Sequence, residues 1–139
     1  MKVKVKLLNG GIMPVKKTRG ASCFDCYANE SVFILQGKRK KVPLGFALEL
    51  PEGYEAVIRP RSSGTINSID TGIGTIDCDY RGEVSATIIN NTESILEVQK
   101  GERICQMKIQ ESIFVELEQT EELSETERGD GGFGSTGRR

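Results

Sequence analysis

Apolar side chains fall at every second position over much of the chain. Val3, Val5 and Leu7 alternate with Lys2, Lys4 and Lys6, Phe46, Leu48 and Leu50 form a second such run, and residues 104–109 a third. A period of two sends successive side chains to opposite faces of a strand, so each run predicts a half-buried strand. Turn-forming groups separate the runs: Asn9-Gly10-Gly11, Gly37, and Leu50-Pro51-Glu52-Gly53, where proline suits the second turn position and glycine the fourth. Helical periodicity is nowhere sustained. Many short strands without intervening helices predict an all-β domain, a jelly-roll-like β-sandwich or distorted barrel.

The pattern changes near the C-terminus. Glutamates at 116, 118, 121, 122, 125 and 127 predict a solvated linker, so the core is expected over residues 1–117 and a linker with a tail over 118–139. The tail, Arg128-Gly129-Asp130-Gly131-Gly132-Phe133-Gly134-Ser135-Thr136-Gly137, has five glycines in ten residues. Such a segment cannot hold itself in one conformation. It is either a disordered tail or a flexible arm that closes over a ligand, with glycine N–H groups and Arg128 for phosphate and the Phe133 ring for a base.

With 139 residues and 37% hydrophobic content the chain suits one domain. Its 19 basic and 20 acidic residues nearly cancel, so no overall field draws it to nucleic acid or to an anionic membrane. No apolar run approaches the roughly 20 residues that span a bilayer, and the alternating MKVKVKLLNGG start is unlike a signal peptide; a cytoplasmic location is expected. Four cysteines are too few for a disulfide scaffold and are read as free thiols. Zero histidines remove Ser-His and Cys-His pairs and every histidine-containing metal site.

Three internal segments carry candidate chemistry. Residues 74–83, Gly-Thr-Ile-Asp-Cys-Asp-Tyr-Arg-Gly-Glu, read as a polar hairpin tip; Asp77 and Asp79 share a face if the run is extended. An ionised aspartate there can orient and deprotonate a water, although a solvated turn accounts for the same composition. Arg59-Pro60-Arg61-Ser62-Ser63-Gly64 pairs cations with hydroxyls and suits either a polyphosphate or an ordinary polar loop. The run Cys23-Phe24-Asp25-Cys26 lacks a second close cysteine pair, so its thiols are read as small hydrophobes rather than zinc ligands.

In order along the chain, five segments resemble the motifs of the trimeric dUTPases (deoxyuridine triphosphate nucleotidohydrolases). They are Ala21-Ser22-Cys23-Phe24-Asp25-Cys26-Tyr27-Ala28, Pro60-Arg61-Ser62-Ser63, residues 74–83, Gly101-Glu102-Arg103-Ile104-Cys105-Gln106, and residues 128–137. Cys23 replaces the family's usual glycine, Cys26 its usual leucine, and Ser63 a common glycine. Residues between Ser63 and Gly74 fit less well.

The resemblance implies a dUTPase-like β-clip that forms a homotrimer, each C-terminal arm crossing to a neighbour. It implies cleavage of dUTP to dUMP and pyrophosphate, which keeps uracil out of DNA and supplies dUMP for thymidylate synthesis. Asp77 would hold the attacking water, with Mg²⁺ bridging the phosphates and Asp25 supporting the ion through water. Arg61, Ser62, Ser63, Gln106 and Arg128 resemble the phosphate binders, with Gly134, Ser135 and Thr136 assisting from the arm. Backbone around Thr71, Gly74, Thr75, Ile76 and Ser85 would read uracil, Tyr80 would pack under the deoxyribose, and Phe133 would cover the base.

Two other readings compete. A dCTP deaminase shares the fold and the Arg-Ser-Ser segment but uses a glutamate on the strand after the hairpin; here Thr87 takes that place and residues 84–90 contain no acid. A nucleotide-sensing or partner-binding module would keep the site without its chemistry, but Asp77, Asp25 and Arg128 are all present.

Overall fold

The structure is a computed structural model and describes residues 1–138. Eleven strands and one short helix are present among them: β1 (Lys4–Leu7), β2 (Phe24–Tyr27), β3 (Val32–Ile34), β4 (Arg39–Pro43), β5 (Phe46–Glu49), β6 (Tyr54–Arg59), α1 (Ser62–Ile66), β7 (Ile69–Thr71), β8 (Gly74–Ile76), β9 (Ser85–Asn90), β10 (Leu96–Val98) and β11 (Arg103–Glu111). The expected all-β, jelly-roll-like architecture is what the chain adopts. A four-stranded sheet runs β2-β11-β6-β8 and a three-stranded sheet β4-β9-β7, completed by the pairs β1-β5 and β3-β10. Every pairing is antiparallel.

The period-two pattern decides which faces meet. On β9, Ala86, Ile88 and Asn90 are buried and alternate with half-exposed residues; on β6, Ala56 and Ile58 point inward, and on β11, Cys105 and Met107. These side chains meet Phe46, Leu44, Val42 and Ile34 in one core. Burying each large aliphatic or aromatic side chain stabilises the fold by about 1.5–3 kcal/mol. Cys26 and Cys105 are directly opposed on β2 and β11 and fully buried, and all four cysteines are free thiols. The hydrogen bond between Cys26 and Cys105, together with burial, pushes the Cys26 thiol well above the ordinary thiol range, so it stays protonated as a small hydrophobe.

Local geometry departs from expectation at three places. The turn after β5 is shifted by one residue: Tyr54 N–H donates to Pro51 O at 3.2 Å. Gly53 therefore takes the third position, with φ +83°, where a type II turn requires the left-handed region. Residues 74–85 do not form a hairpin. β8 pairs with β6, and β9 with β4 and β7, so the Asp77 segment crosses between two sheets. Nor is that segment extended, because Tyr80 N–H donates to Asp77 O at 3.1 Å and closes a turn, which removes the shared face expected for Asp77 and Asp79.

After β11 the last backbone tie to the core, among the described residues, is Ser112 N–H to Gly53 O at 2.8 Å. Ile113, Phe114, Val115 and Leu117 then follow with between 65% and 93% of their surface exposed.

Asn90 is the one fully buried polar side chain among the described residues, and every polar atom it has is used. Its amide donates to Ile34 O and Ser94 O, each at 2.8 Å, while Oδ1 accepts from Thr92 N–H and Oγ1 at 3.0 and 2.6 Å. One side chain thus ties β9, β3 and the loop before β10 together. Asn90→Ala takes the side-chain partner from Ile34 O and from Thr92 N–H and leaves Ser94 O only the Thr92 hydroxyl at 3.0 Å, and a loss of about 2–4 kcal/mol is expected. Urea unfolding at fixed protein concentration measures it; an unchanged midpoint would show that water replaces the amide without cost.

Candidate active site

Two groups of polar residues are assembled by the strands, and they lie apart. The first is built on β2, β11 and the end of β6. Pro60 has no N–H to give a sheet, so β6 stops at Arg59 and the chain turns into α1, whose N-cap is Arg61 in extended conformation. Ser62 and Ser63 form the exposed first turn of α1, where N–H groups lack helical partners. Gln106 pairs with Asp25 across β11 and β2 and with Arg59 across β11 and β6, and its amide donates to Pro60 O at 2.9 Å.

Asp25 is the hub of this group. Its Oδ2 accepts from Arg103 Nη1 at 2.9 Å, its Oδ1 lies 3.9 Å from Arg61 Nε, and only 17% of its side chain is exposed. Arg61 Nη1 in turn donates to Arg103 O at 2.9 Å. One carboxylate against two guanidiniums leaves one positive charge over, next to free hydroxyls and an amide. That surplus suits a polyanion with several phosphate oxygens.

Arg103 lay within a matching motif, but the sequence suggested no role for it. Arg103 and Gln106 are three apart and belong on opposite faces of a regular strand. A register shift between Arg103 and Cys105 breaks that parity and brings Arg103 onto Asp25. No spacing rule foretells a bulge of this kind.

The second group surrounds a cavity of about 260 Å³ between β8 and β9. Gly74, Thr75, Ile76, Asp77, Tyr80 and Ser85 are among its walls, with Lys41 at one side. Thr71 is not among them: it is buried to 5%, and its N–H takes Asp70 Oδ1 at 2.8 Å. Asp77 is exposed, and Tyr80 keeps 46% of its surface exposed. The Tyr80 hydroxyl donates to Glu83 O at 3.2 Å, folding the ring back over Gly82. A Cβ at Gly82 would lie 2.3 Å from that hydroxyl, so the ring's position depends on glycine there. Glu83 Oε1 is buried with no hydrogen-bond partner beside this cavity.

From Asp25 across β11 and β6 to β8 is three strand spacings, about 14 Å. Ala56 faces Ile76 while Arg59 faces Gln106, which places Asp77 four residues further along the strands. The aspartate and the arginine group of one chain are therefore on the order of 20 Å apart. Arg128, Phe133, Gly134, Ser135 and Thr136 join neither group. The tail's bonds are internal, with Arg128 Nε to Gly131 O at 2.8 Å and Ser135 N–H to Gly132 O at 3.0 Å, and Phe133 is fully exposed.

The dUTPase family model matches residues 9–137. The chain belongs to the dUTPase family. Deoxyuridine 5'-triphosphate nucleotidohydrolases of Nautilia profundicola and Hydrogenobaculum sp. are 44% and 45% identical to it; the first alignment covers 99% of this chain and 100% of that one, the second 99% of each. The Staphylococcus bacteriophage 80alpha dUTPase with dUPNHPP superposes with a TM-score of 0.93 at 27% identity, covering 98% of each chain. As a dUTPase the chain is a hydrolase.

Arg103→Leu should leave Asp25 facing Arg61 alone and draw Arg61 closer onto Asp25. An increase in KM of roughly tenfold for a triphosphate substrate is expected, about 1.4 kcal/mol of binding, with kcat much less affected. Steady-state kinetics separate the two parameters, and an unchanged KM would remove Arg103 from substrate positioning.

Proposed function

We propose that the chain hydrolyses dUTP to dUMP and pyrophosphate in a site that three copies assemble together. One observation carries the shared site: the slot holding Asp77 and Tyr80 and the Asp25, Arg61 and Gln106 group are each complete, yet too far apart in one chain to act on one nucleotide. The β8–β9 slot takes the deoxyuridine. Backbone of Gly74, Thr75, Ile76 and Ser85 meets the uracil edge; Thr71, buried behind the slot, acts through the packing of β7 on β9. A ladder of this kind rejects cytosine, whose amine would leave a donor buried without a partner, and its closeness excludes the thymine methyl. The Tyr80 ring lies under the sugar and excludes a 2′-hydroxyl.

A second copy supplies Arg61, Ser62, Ser63 and Gln106 for the phosphates. Arg128, with Gly134, Ser135 and Thr136, comes from the arm of the third copy, whose Phe133 covers the base. Asp77 orients a water in line with the α-phosphorus and accepts its proton as the water oxygen bonds to phosphorus. The bond from phosphorus to the oxygen bridging to the β-phosphate breaks, and pyrophosphate leaves. The surplus guanidinium charge offsets the charge developing on the departing oxygen.

The donor set also fits a Mg²⁺ ion held mainly by substrate oxygens and water. No group of three His, Cys, Asp or Glu gathers among the described residues, and Asp25 already has two guanidinium partners, so Asp25 would support such an ion through water. Such an ion supplies charge neutralisation across the phosphates. No helix among the described residues is long and apolar enough to cross a membrane.

Association is also what the exposed strip Ile113-Phe114-Val115, followed by Leu117, requires. Four large apolar side chains at that exposure are covered by another chain or remain a liability.

Mixing Asp77→Asn chains with Arg61→Ala chains and allowing subunits to exchange tests the shared site. In a three-membered ring every mixed trimer regains one intact site, so a random equal mixture should recover about a quarter of wild-type activity. No recovery after exchange would place the site within one chain. Alone, Asp77→Asn should bind dUTP but turn over ~10²-fold or more slowly. Pyrophosphate release at the wild-type rate would remove Asp77 from the chemistry. Deleting residues 128–139 should leave the trimer intact by sedimentation and abolish turnover; full activity of the truncated chain would dismiss the arm.

A further inference from the structure

Four consecutive cations, Lys38, Arg39, Lys40 and Lys41, enter and form the first part of β4, an edge strand, and all four are exposed. Across the sheet they face no acid: Arg39 pairs with Ile89, Lys40 with Ile88 and Lys41 with Thr87. The ion pairs among the described residues are Lys4–Glu49 and the two on Asp25, so none of the four has an anionic partner. Like charges one residue apart repel, which makes the run a place for an anion. Charge on an edge strand also discourages sheet-to-sheet pairing, but that role does not need the run to end at the substrate slot, as it does with Lys41.

The opposite run lies in the same sequence. Residues 116–127 carry six glutamates, all exposed, and none makes an ion pair among the described residues. That segment leads directly into Arg128. With Arg128 at the slot, Glu127 and Glu125 fall within about 10 Å of it in extended chain, the length of chain from Lys41 to Lys38 at the start of β4. Their spacing of two residues, about 6.6 Å, equals that of Lys41 and Arg39.

We infer that the acidic linker of one copy lies along the basic run of β4 in a second copy, and that this contact sets the arm down on the slot. The inference rests on the shared-site reading above and adds to it what steers the arm. The linker sheds its self-repulsion on docking, and the pairing is exposed to solvent, so salt weakens it. Lys41 borders the slot and is left unaltered in the test.

Three variants decide the matter: Lys38→Glu, Arg39→Glu and Lys40→Glu together on the strand; Glu122→Lys, Glu125→Lys and Glu127→Lys together on the linker; and both sets combined. Each carries Phe133→Trp, so that indole fluorescence reports arm docking in the presence of a non-hydrolysable dUTP analogue. Each single set should weaken docking and raise KM roughly five- to tenfold at low salt, and the combined set should restore both to within about twofold. A neutral set, Lys38→Gln, Arg39→Gln and Lys40→Gln, should flatten the salt dependence without unfolding the edge. Additive losses in the combined variant overturn the inference. So does a strand set that abolishes binding of a short DNA duplex while docking is unchanged, which would make the run a nucleic-acid contact. Failure of the shared-site reading is seen separately, as absence of dUTP hydrolysis by the wild-type chain or of recovery in the subunit mixture.

Discussion

Asp25 sits between Arg61 and Arg103, and much of the molecule serves to hold it there. The three residues come from β2, from the turn after β6 and from β11, strands that are adjacent in one sheet but distant in sequence. Half-buried as they are, a lone guanidinium would carry a desolvation cost and a mobile side chain. The carboxylate offsets the first and limits the second. What remains is a cation fixed in direction with one unit of charge unspent. The opposed buried thiols Cys26 and Cys105, next along β2 and β11, lock the same two strands from the core side. The polar hub and the apolar core are thus two faces of one strand pair.

The fold was legible because it rests on alternation. Val5 on β1 and Met107 on β11 lie in strands where the period-two pattern put them; β5 is a strand as expected but buried on both faces, Ala47 with Phe46 and Leu48, and Leu7 at the end of β1 is exposed. The site was legible only in part, for a physical reason. A residue's type and neighbours are local, whereas the contacts that matter here join positions 25, 61 and 103. The motifs announced Asp25 and Arg61 as separate elements. That they are ion-paired, and that Arg103 joins them, depends on a register shift with no signature in composition.

The same limit explains the misread crossover. A Gly-rich polar segment between two apolar runs is the ordinary mark of a hairpin, and the 74–83 segment has that composition. Whether the flanking strands pair with each other or with other strands is settled by the rest of the sandwich. Here β6 claims one and β4 with β7 the other. A true hairpin would close the space between Ile76 and Ser85 with its own hydrogen bonds, whereas two sheets parting at this point leave the cavity that Gly74, Thr75, Ile76, Asp77 and Ser85 line. Gly82 then lets the Tyr80 ring fold along the slot's edge instead of away from it.

A site divided among copies, as proposed, would have a cost in entropy and a gain in control. The slot alone holds a carboxylate and a ring but little positive charge beyond Lys41, and the arginine group alone has charge without a general base. On the shared-site proposal, neither half alone would hydrolyse a nucleotide. In the arm, Gly129, Gly134 and Gly137 at positive φ allow turns that side chains rarely permit. On the proposed reading the arm's ordering would be driven by the phosphates that Arg128 would grip and the base that Phe133 would cover. Both would belong to the correct ligand, and closure over it would exclude the bulk water that competes with the one proposed for Asp77.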